Sequence, residues 1–345
     1  MKIIWATDVH LNLVNSAVLD AFCRKIVHLK PDAVLIGGDI GDSKCLVKLL
    51  LRLEEKIQCK IFFVLGNHDY YRGSIGDVRN QILEVTKGSS YLNYLSNMGI
   101  VKLTSDTALI GHDSWADGCA GDYFNSHIRL NDYTMIEDLR NLGKETLFKK
   151  LNALGTEAAL FFHEKLTQAL PNFQHILILT HVPPVPESCW HEGDLSNKYF
   201  LPHFCCQAVG EVFIELMTKN PSKNLMVICG HTHSSGVAHI LPNLLVKSGG
   251  AIYGQPDIQD PIFQASSIGN YKSQQGVNIV RPENGNSAWL GGVEMTFNRD
   301  LGFIASELEH FGVMANVTLM DSEMSIPDRD EKVSIPRQAD NLYNF

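Results

Sequence analysis

The chain has 345 residues, of which 45% are apolar, 19% charged and 9% aromatic, enough to bury one large core or two modest ones and to exclude disorder over most of the length. Its 29 Lys and Arg against 38 Asp and Glu give a net charge of −9, which disfavours a protein built to grip phosphate backbones through a basic surface. No window approaches the roughly 20 uninterrupted apolar residues of a membrane-spanning helix, and the run from Met1 to Ala6 is too short for a signal-peptide core. A cytoplasmic protein with no membrane partner is expected. Its eight cysteines show no Cys-x-x-Cys spacing and read as free thiols in a reducing compartment.

In chain order, short β-branched or aromatic runs alternate with segments of helical period, the pattern of an α/β protein. Lys2 to Ala6 reads as the first strand, followed by a helix over Ser16 to Leu29 with Val18, Phe22, Ile26 and Leu29 on one face. Ala33 to Ile36 is the second strand, and Leu46, Leu49, Leu50, Leu53 and Ile57 mark the next helix. Lys60 to Leu65 is the third, a helix spans Ile75 to Thr86, and short runs follow at Ile100 to Leu103 and Thr107 to Ile110. Residues 112–142 have no clear period, are rich in Asp, Asn, Gly and Tyr, and read as an insertion forming a lid. A helix over Glu145 to Ala169, a strand at His175 to Thr180, a helix over Cys206 to Thr218 and strands at Asn224 to Cys229, Val237 to Ile240 and Leu244 to Lys247 follow.

From Asp257 the texture changes. Residues 264–288 are dominated by Ser, Gly, Asn and Gln, as a linker would be, with a short helix expected at Asp300 to Phe311 and a strand at Val313 to Met320. Residues 256–345 carry 6 Lys and Arg against 13 Asp and Glu, so most of the acidity lies there. The chain thus divides into a domain at 1–260 and an acidic C-terminal extension at 261–345.

Chemistry-bearing residues fall just past the strands. Ligands in α/β sheets bind beyond the carboxyl ends of strands, and five such ends carry Asp8 and His10, Asp39, Asn67, His181, and His231 with His233. Seven mixed oxygen and nitrogen donors exceed what one tetrahedral zinc uses and fit two ions sharing a carboxylate. Taken singly, Asp8 with His10, Asp39, Asn67 and His181 read as readily as a turn, a helix cap or a core histidine, while Gly230-His231-Thr232-His233 already favours metal; their joint occurrence at strand ends is what points to metal.

The ordered blocks Asp8-Val9-His10, Gly38-Asp39, Gly66-Asn67-His68-Asp69, His181 and Gly230-His231-Thr232-His233 resemble the calcineurin-like binuclear metallophosphoesterases over residues 1 to 255. The resemblance implies an α/β fold of four layers, an α/β/β/α sandwich with mixed β-sheets. It also implies a metal-dependent phosphoesterase acting on a phosphomono- or diester through a metal-bridging hydroxide. Asp8, His10 and His233 would hold one ion, Asn67, His181 and His231 the other, and Asp39 would bridge them. His68 would be the general acid, with Asp69 orienting its ring. Imidazole, carboxylate and carboxamide donors without thiolate suit Mn, Fe or Zn. Asp42 stands where purple acid phosphatases carry a tyrosine, so Mn or mixed Fe and Mn is the first expectation.

The substrate contacts expected from the insertion are His112, Asp113 and Trp115, with Trp115, Tyr123 or Tyr133 either stacking on a base or packing into a small core of their own. His191, in the segment after His181, is a further candidate. The block Gly38-Asp39-Ile40-Gly41-Asp42-Ser43-Lys44 lacks the arginine of protein Ser/Thr phosphatases, and His68 stands where lipid A precursor pyrophosphatases carry arginine. What remains is a bacterial-type group acting on small phosphoesters, with a nucleotide among the candidate substrates and nucleic acid not expected as a partner. A non-catalytic metal-binding scaffold and a dimetal hydrolase of a non-phosphate ester are the readings from other classes.

Overall fold

The structure, a computed structural model, describes residues 1–259 and the backbone of a two-residue strand at 263–264. The linker beyond residue 264, the helix at 300–311, the strand at 313–320 and the rest of the acidic extension lie outside the described residues.

The chain opens with β1 (Lys2–Ala6), α1 (Ser16–His28), β2 (Ala33–Gly37), α2 (Leu46–Ile57), β3 (Lys60–Val64), α3 (Ile75–Lys87) and β4 (Leu92–Tyr94). Next come β5 (Val101–Lys102), β6 (Thr107–His112), the single turn α4 (Asp132–Met135), α5 (Lys144–Ala169), β7 (His175–Thr180), and a hairpin of β8 (Trp190–His191) and β9 (Asp194–Leu195). The described part finishes with α6 (Leu201–Phe204), α7 (Gln207–Lys219), β10 (Asn224–Cys229), β11 (Gly236–Leu241), β12 (Leu244–Ser248) and β13 (Phe263–Gln264). Helix starts are chemically marked: Asn15 Oδ1 accepts from Ala17 N and Val18 N at 3.0 and 3.1 Å, and Ser74 Oγ accepts from Asp77 N at 3.1 Å.

Two sheets form. One runs β13-β1-β2-β3-β4, with β1 to β4 parallel and β13 antiparallel to β1; the other runs β11-β12-β10-β7-β6-β5, with β12, β10, β7 and β6 parallel and the two edge strands antiparallel. Both are mixed. Alternation along each strand divides the apolar side chains between two cores. In β1, Ile3 and Trp5 join Leu35, Val64, Leu177, Leu179 and Ile228 between the sheets, while Ile4 and Ala6 turn to the helices with Phe22, Ile26 and Leu50. The second sheet does the same, sending Ile176, Ile178 and Val227 to Phe162 on α5 and Phe213 on α7. Helices, sheet, sheet, helices is the resulting four-layer order, as expected.

The regular elements read from sequence appear within a residue or two of their expected bounds. The short β4, α4, α6, the β8-β9 hairpin and β13 were not read, since two to four residues carry too little periodicity to register. Among the described residues no helix is long and apolar enough to cross a membrane.

Phe162 is fully buried and meets the Phe213 ring edge-on at 5.1 Å between centroids. Its truncation removes an aromatic contact between α5 and α7. Phe162→Ala is expected to cost about 3–5 kcal/mol, read as a lower denaturant midpoint with an unchanged slope.

Candidate metal centre

All seven donors expected from the sequence lie past the carboxyl ends of five strands: Asp8 and His10 after β1, Asp39 after β2, Asn67 after β3, His181 after β7, and His231 and His233 after β10. Backbone hydrogen bonds lace the loops together, with Asp8 N donating to Gly38 O at 3.1 Å, His10 N to Asp39 O at 2.9 Å and Gly230 N to His181 O at 2.8 Å.

Donor atoms of Asp8, His10, Asp39 and His233 all lie within 4.8 Å of one another. Within this group, His10 Nε2 is 3.2 Å from His233 Nε2, and His233 Nε2 is 3.3 Å from Asp8 Oδ1. A second group is built on Asn67, whose Oδ1 is 3.0 Å from both His181 Nε2 and His231 Nδ1. Asp39, 1% exposed, faces both. Its Oδ2 lies 3.7 Å from His10 Nε2 and 3.9 Å from His68 Nε2, while its Oδ1 lies 3.5 Å from His181 Nε2.

The side chains behind the donors set which atoms face inward. His181 Nδ1 donates to Gly37 O at 2.8 Å and His231 Nε2 donates to His203 O at 2.9 Å, so in each neutral ring the other nitrogen presents a lone pair. Asn67 Nδ2 donates to Asp132 Oδ1 at 2.8 Å, which turns the amide oxygen toward the two rings. The Asn67 oxygen, 3.0 Å from each of these ring nitrogens, repels their lone pairs unless a cation or a proton lies between them. This donor set fits a pair of metal ions.

Protonation follows the same logic. Burial works to raise the Asp8 carboxyl, but the His233 hydrogen bond and nearby imidazoles outweigh it and hold Asp8 well below the usual carboxylate range. Burial likewise works to raise Asp39, and His68, His181 and His10 pull it down. Burial lowers both His10 and His231 to about 4. At neutral pH the carboxylates are charged and these two rings are neutral, the forms that bind cations.

Geometry of this kind strains the chain. Asp8 (φ 52°), His10 (φ 40°), Asp39 (φ 52°), His231 (φ 73°) and His233 (φ 59°) all adopt left-handed backbone that non-glycine residues seldom take. Two glycines answer the crowding that results: a Cβ on Gly66 would strike the Asp39 carboxylate, and one on Gly230 the Asp8 carboxylate.

His68 lies beside this centre, partly exposed, with its ring stacked on Tyr71 at 4.3 Å and 4.7 Å from the ring of His10. Asp69 does not orient it. The short 3-10 turn His68–Tyr70 swings the Asp69 carboxylate, fully buried, to accept from Ile40 N, Gly41 N and Gly66 N at 2.8, 2.8 and 2.9 Å, pinning the Asp39 loop to the Asn67 loop.

The three substrate contacts expected from the insertion are all buried, and of them Trp115 lines a small cavity with Asn67, His181 and His231. Asp113 is fully buried and accepts from Leu65 N, Tyr70 Oη and Ser96 Oγ, each at 2.7 Å. Its neighbour His112 is buried against Phe161 at 4.8 Å, and burial lowers it to about 4. Trp115 packs on Tyr70 at 5.5 Å, 4% exposed, and Tyr123 is equally buried against Phe148 at 5.1 Å. Tyr133, half-buried, shares a 2.6 Å hydrogen bond between its hydroxyl and His203 Nδ1. His191 is half-buried against Phe200 and Phe204. The aromatics of the insertion thus pack against Tyr70, Phe148 and His203 outside it rather than into a core of their own, while Phe124 stays 55% exposed.

Asp132 is the residue that sequence reasoning missed. Its Oδ1 accepts from both Asn67 Nδ2 and Tyr71 Oη at 2.8 Å, so one carboxylate fixes a donor amide and the ring under His68. Nothing in the local sequence Asn131-Asp132-Tyr133 signals a partner 65 residues away.

A calcineurin-like phosphoesterase family model matches residues 1–235. The chain is 26% identical over 246 residues to an uncharacterized protein, L509, of Acanthamoeba polyphaga mimivirus, covering 66% of this chain and 83% of that one. It is 30% identical over 117 residues to an uncharacterized metallophosphoesterase, Cj0846, of Campylobacter jejuni, covering 33% of this chain and 31% of that one. Among solved structures it is similar to phosphopantetheinyl hydrolase of Mycobacterium tuberculosis, with a TM-score of 0.51 at 13% identity over 75% of this chain and 96% of that one. With the family match covering β1 to β10 and every donor loop up to His233, this chain belongs to the calcineurin-like phosphoesterase family and is a metal-dependent phosphoesterase.

Proposed function

We propose that the protein hydrolyses a small phosphomono- or diester, with Asp8, His10 and His233 holding one ion, Asn67, His181 and His231 the second, and Asp39 shared between them. The observation that carries this reading is the placement of the two Asp39 oxygens, one toward each group of donors. When bound, two cations clamp phosphoryl oxygens and lower the pKa of a water molecule toward neutrality. Carboxylate, imidazole and carboxamide donors without a thiolate support Mn, Fe or Zn, with Mn or mixed Fe and Mn first. The eight free thiols support a cytoplasmic setting.

In this reading the protein's own part is to orient and to move one proton. His68 is the group beside the centre with an accessible ring, and Tyr71 stacked beneath it holds the plane. It donates to the leaving-group oxygen as the ester bond breaks. Such a general acid is worth roughly 10²–10⁴-fold.

Metal analysis of the purified protein is expected to give two ions per chain. Chelation or Asp39→Asn should abolish turnover of bis-nitrophenyl phosphate, while turnover of a carboxylic ester in its place would favour a different hydrolase, and metal without turnover a scaffold. His68→Ala is expected to keep both ions and to slow an alkyl ester far more than a nitrophenyl ester, because the nitrophenolate leaves without a proton; equal losses rule out the acid role. Asp132→Ala releases the Asn67 amide and should weaken retention of the second ion by about 10–100-fold, measured by competition with a chelator, with the first ion retained.

A further inference from the structure

Tyr253 stands at the edge of the metal centre with no role in the scheme above. Its ring centroid is 4.6 Å from that of His10, 4.9 Å from His233 and 6.3 Å from His68, yet 52% of the residue remains exposed. Among the described residues its hydroxyl has no hydrogen-bond partner. The segment that carries it is well anchored: Gly249 N donates to Cys229 O at 2.8 Å, Ala251 N to His233 O at 3.0 Å, Gln255 N to Ile252 O at 3.0 Å, and Gln259 N to Trp5 O at 2.7 Å. Gln259 further clips Gly250 through its side-chain amide, accepting at 3.1 Å and donating at 2.8 Å. A half-exposed aromatic ring is thus held in a fixed place against two donor histidines.

We infer that Tyr253 is the platform on which the leaving group stacks, and that the enzyme favours phosphoesters whose leaving group carries a planar aromatic system, such as a nucleoside. The inference rests on the phosphoesterase reading with His68 as acid. For His68 to protonate the leaving-group oxygen, that oxygen must come within about 2.6–3.2 Å of the ring, so the body of the leaving group lies close by. Three aromatic rings flank His68. Tyr71 and His10 are buried beneath and beside it, and Tyr253 alone among them presents a free face. Its centroid lies 6.3 Å from that of His68, so a planar group stacked on its open face, about 4.5–7 Å away as aromatic pairs are, stays within the reach of a leaving group whose oxygen is at His68. An aliphatic leaving group gains little there.

The test uses a pair of ligands that share the sugar phosphate and differ only in the base. AMP and ribose-5-phosphate are measured as competitive inhibitors of bis-nitrophenyl phosphate turnover by the full-length, metal-loaded protein. Base stacking on one aromatic ring is worth about 10-fold in affinity, so the Ki of AMP is expected about 10-fold below that of ribose-5-phosphate. Tyr253→Ala should raise the AMP value to meet the other and leave ribose-5-phosphate unchanged, whereas Tyr253→Phe keeps the preference, because the ring and not the hydroxyl carries it. Equal inhibition by the two ligands in the unmodified protein, or an equal shift of both in Tyr253→Ala, overturns the platform while leaving the hydrolytic reading intact. Absence of metal-dependent phosphoester turnover overturns both.

Discussion

The Asp39 carboxylate is the point on which the arrangement turns. Nearly sealed from solvent, it directs one oxygen at His10 and His68 and the other at His181. A buried anion is costly unless charge or hydrogen bonds compensate it, and here the compensation comes from imidazoles and from His68 N, which donates to Oδ1 at 2.9 Å. Lone pairs of Asn67, His181 and His231 converge at the same place. No arrangement of neutral side chains would gather so many acceptors; a bound cation removes their repulsion. The left-handed backbone at Asp8, His10, Asp39, His231 and His233 is the cost of aiming these groups inward.

Such strain persists only where the surroundings over-determine it. Asp69 supplies much of that constraint by accepting from three backbone N–H groups across two loops, while burial, with the Asp39 charge beside it, pushes its carboxyl up to about 8. Asp132 acts from a third direction, reaching from the 112–142 insertion to Asn67 and Tyr71. The insertion therefore serves as a brace. Trp115, Tyr123 and Tyr133 pack against the body of the protein, and the insertion meets the centre through Asp132 on its one-turn helix, through Asp113 O, which accepts from His181 N at 3.2 Å, and through Ser114 and Trp115, which line a small cavity with Asn67, His181 and His231. The sheets supply the remaining rigidity, since five strands from two stacked sheets end at one rim and their inter-sheet core of Trp5, Leu35, Val64, Leu177 and Ile228 fixes the spacing between them.

Much of this was legible before folding was considered. The parallel strands betray themselves as apolar runs such as Ala33 to Ile36 and Ile176 to Leu179, because a strand buried on both faces has no polar alternation to obscure it. Donor residues read clearly because each follows such a run at once, as Asp39 follows β2 and His231 follows β10. Asp69 misled for the opposite reason. Adjacency to His68 in sequence suggested contact with its ring, but a 3-10 turn sends neighbouring side chains in different directions. Trp115 and Asp113 misled because exposure cannot be read from an aperiodic segment.

The sequence by itself determined the fold class, the family and which seven residues gather past the strand ends, since these depend on local periodicity and on residue type at those ends. Only the tertiary structure decided which oxygen of Asp39 faces which group, that Asp69 and Asp132 brace the donor loops rather than the His68 ring, and that Tyr253 rather than Trp115 offers an open ring beside the centre. Those facts are set by contacts between residues that lie far apart in the chain, as between Asn67 and Asp132 or His10 and Tyr253. No local pattern encodes such contacts, because they exist only once two sheets have stacked and brought their strand ends to one rim.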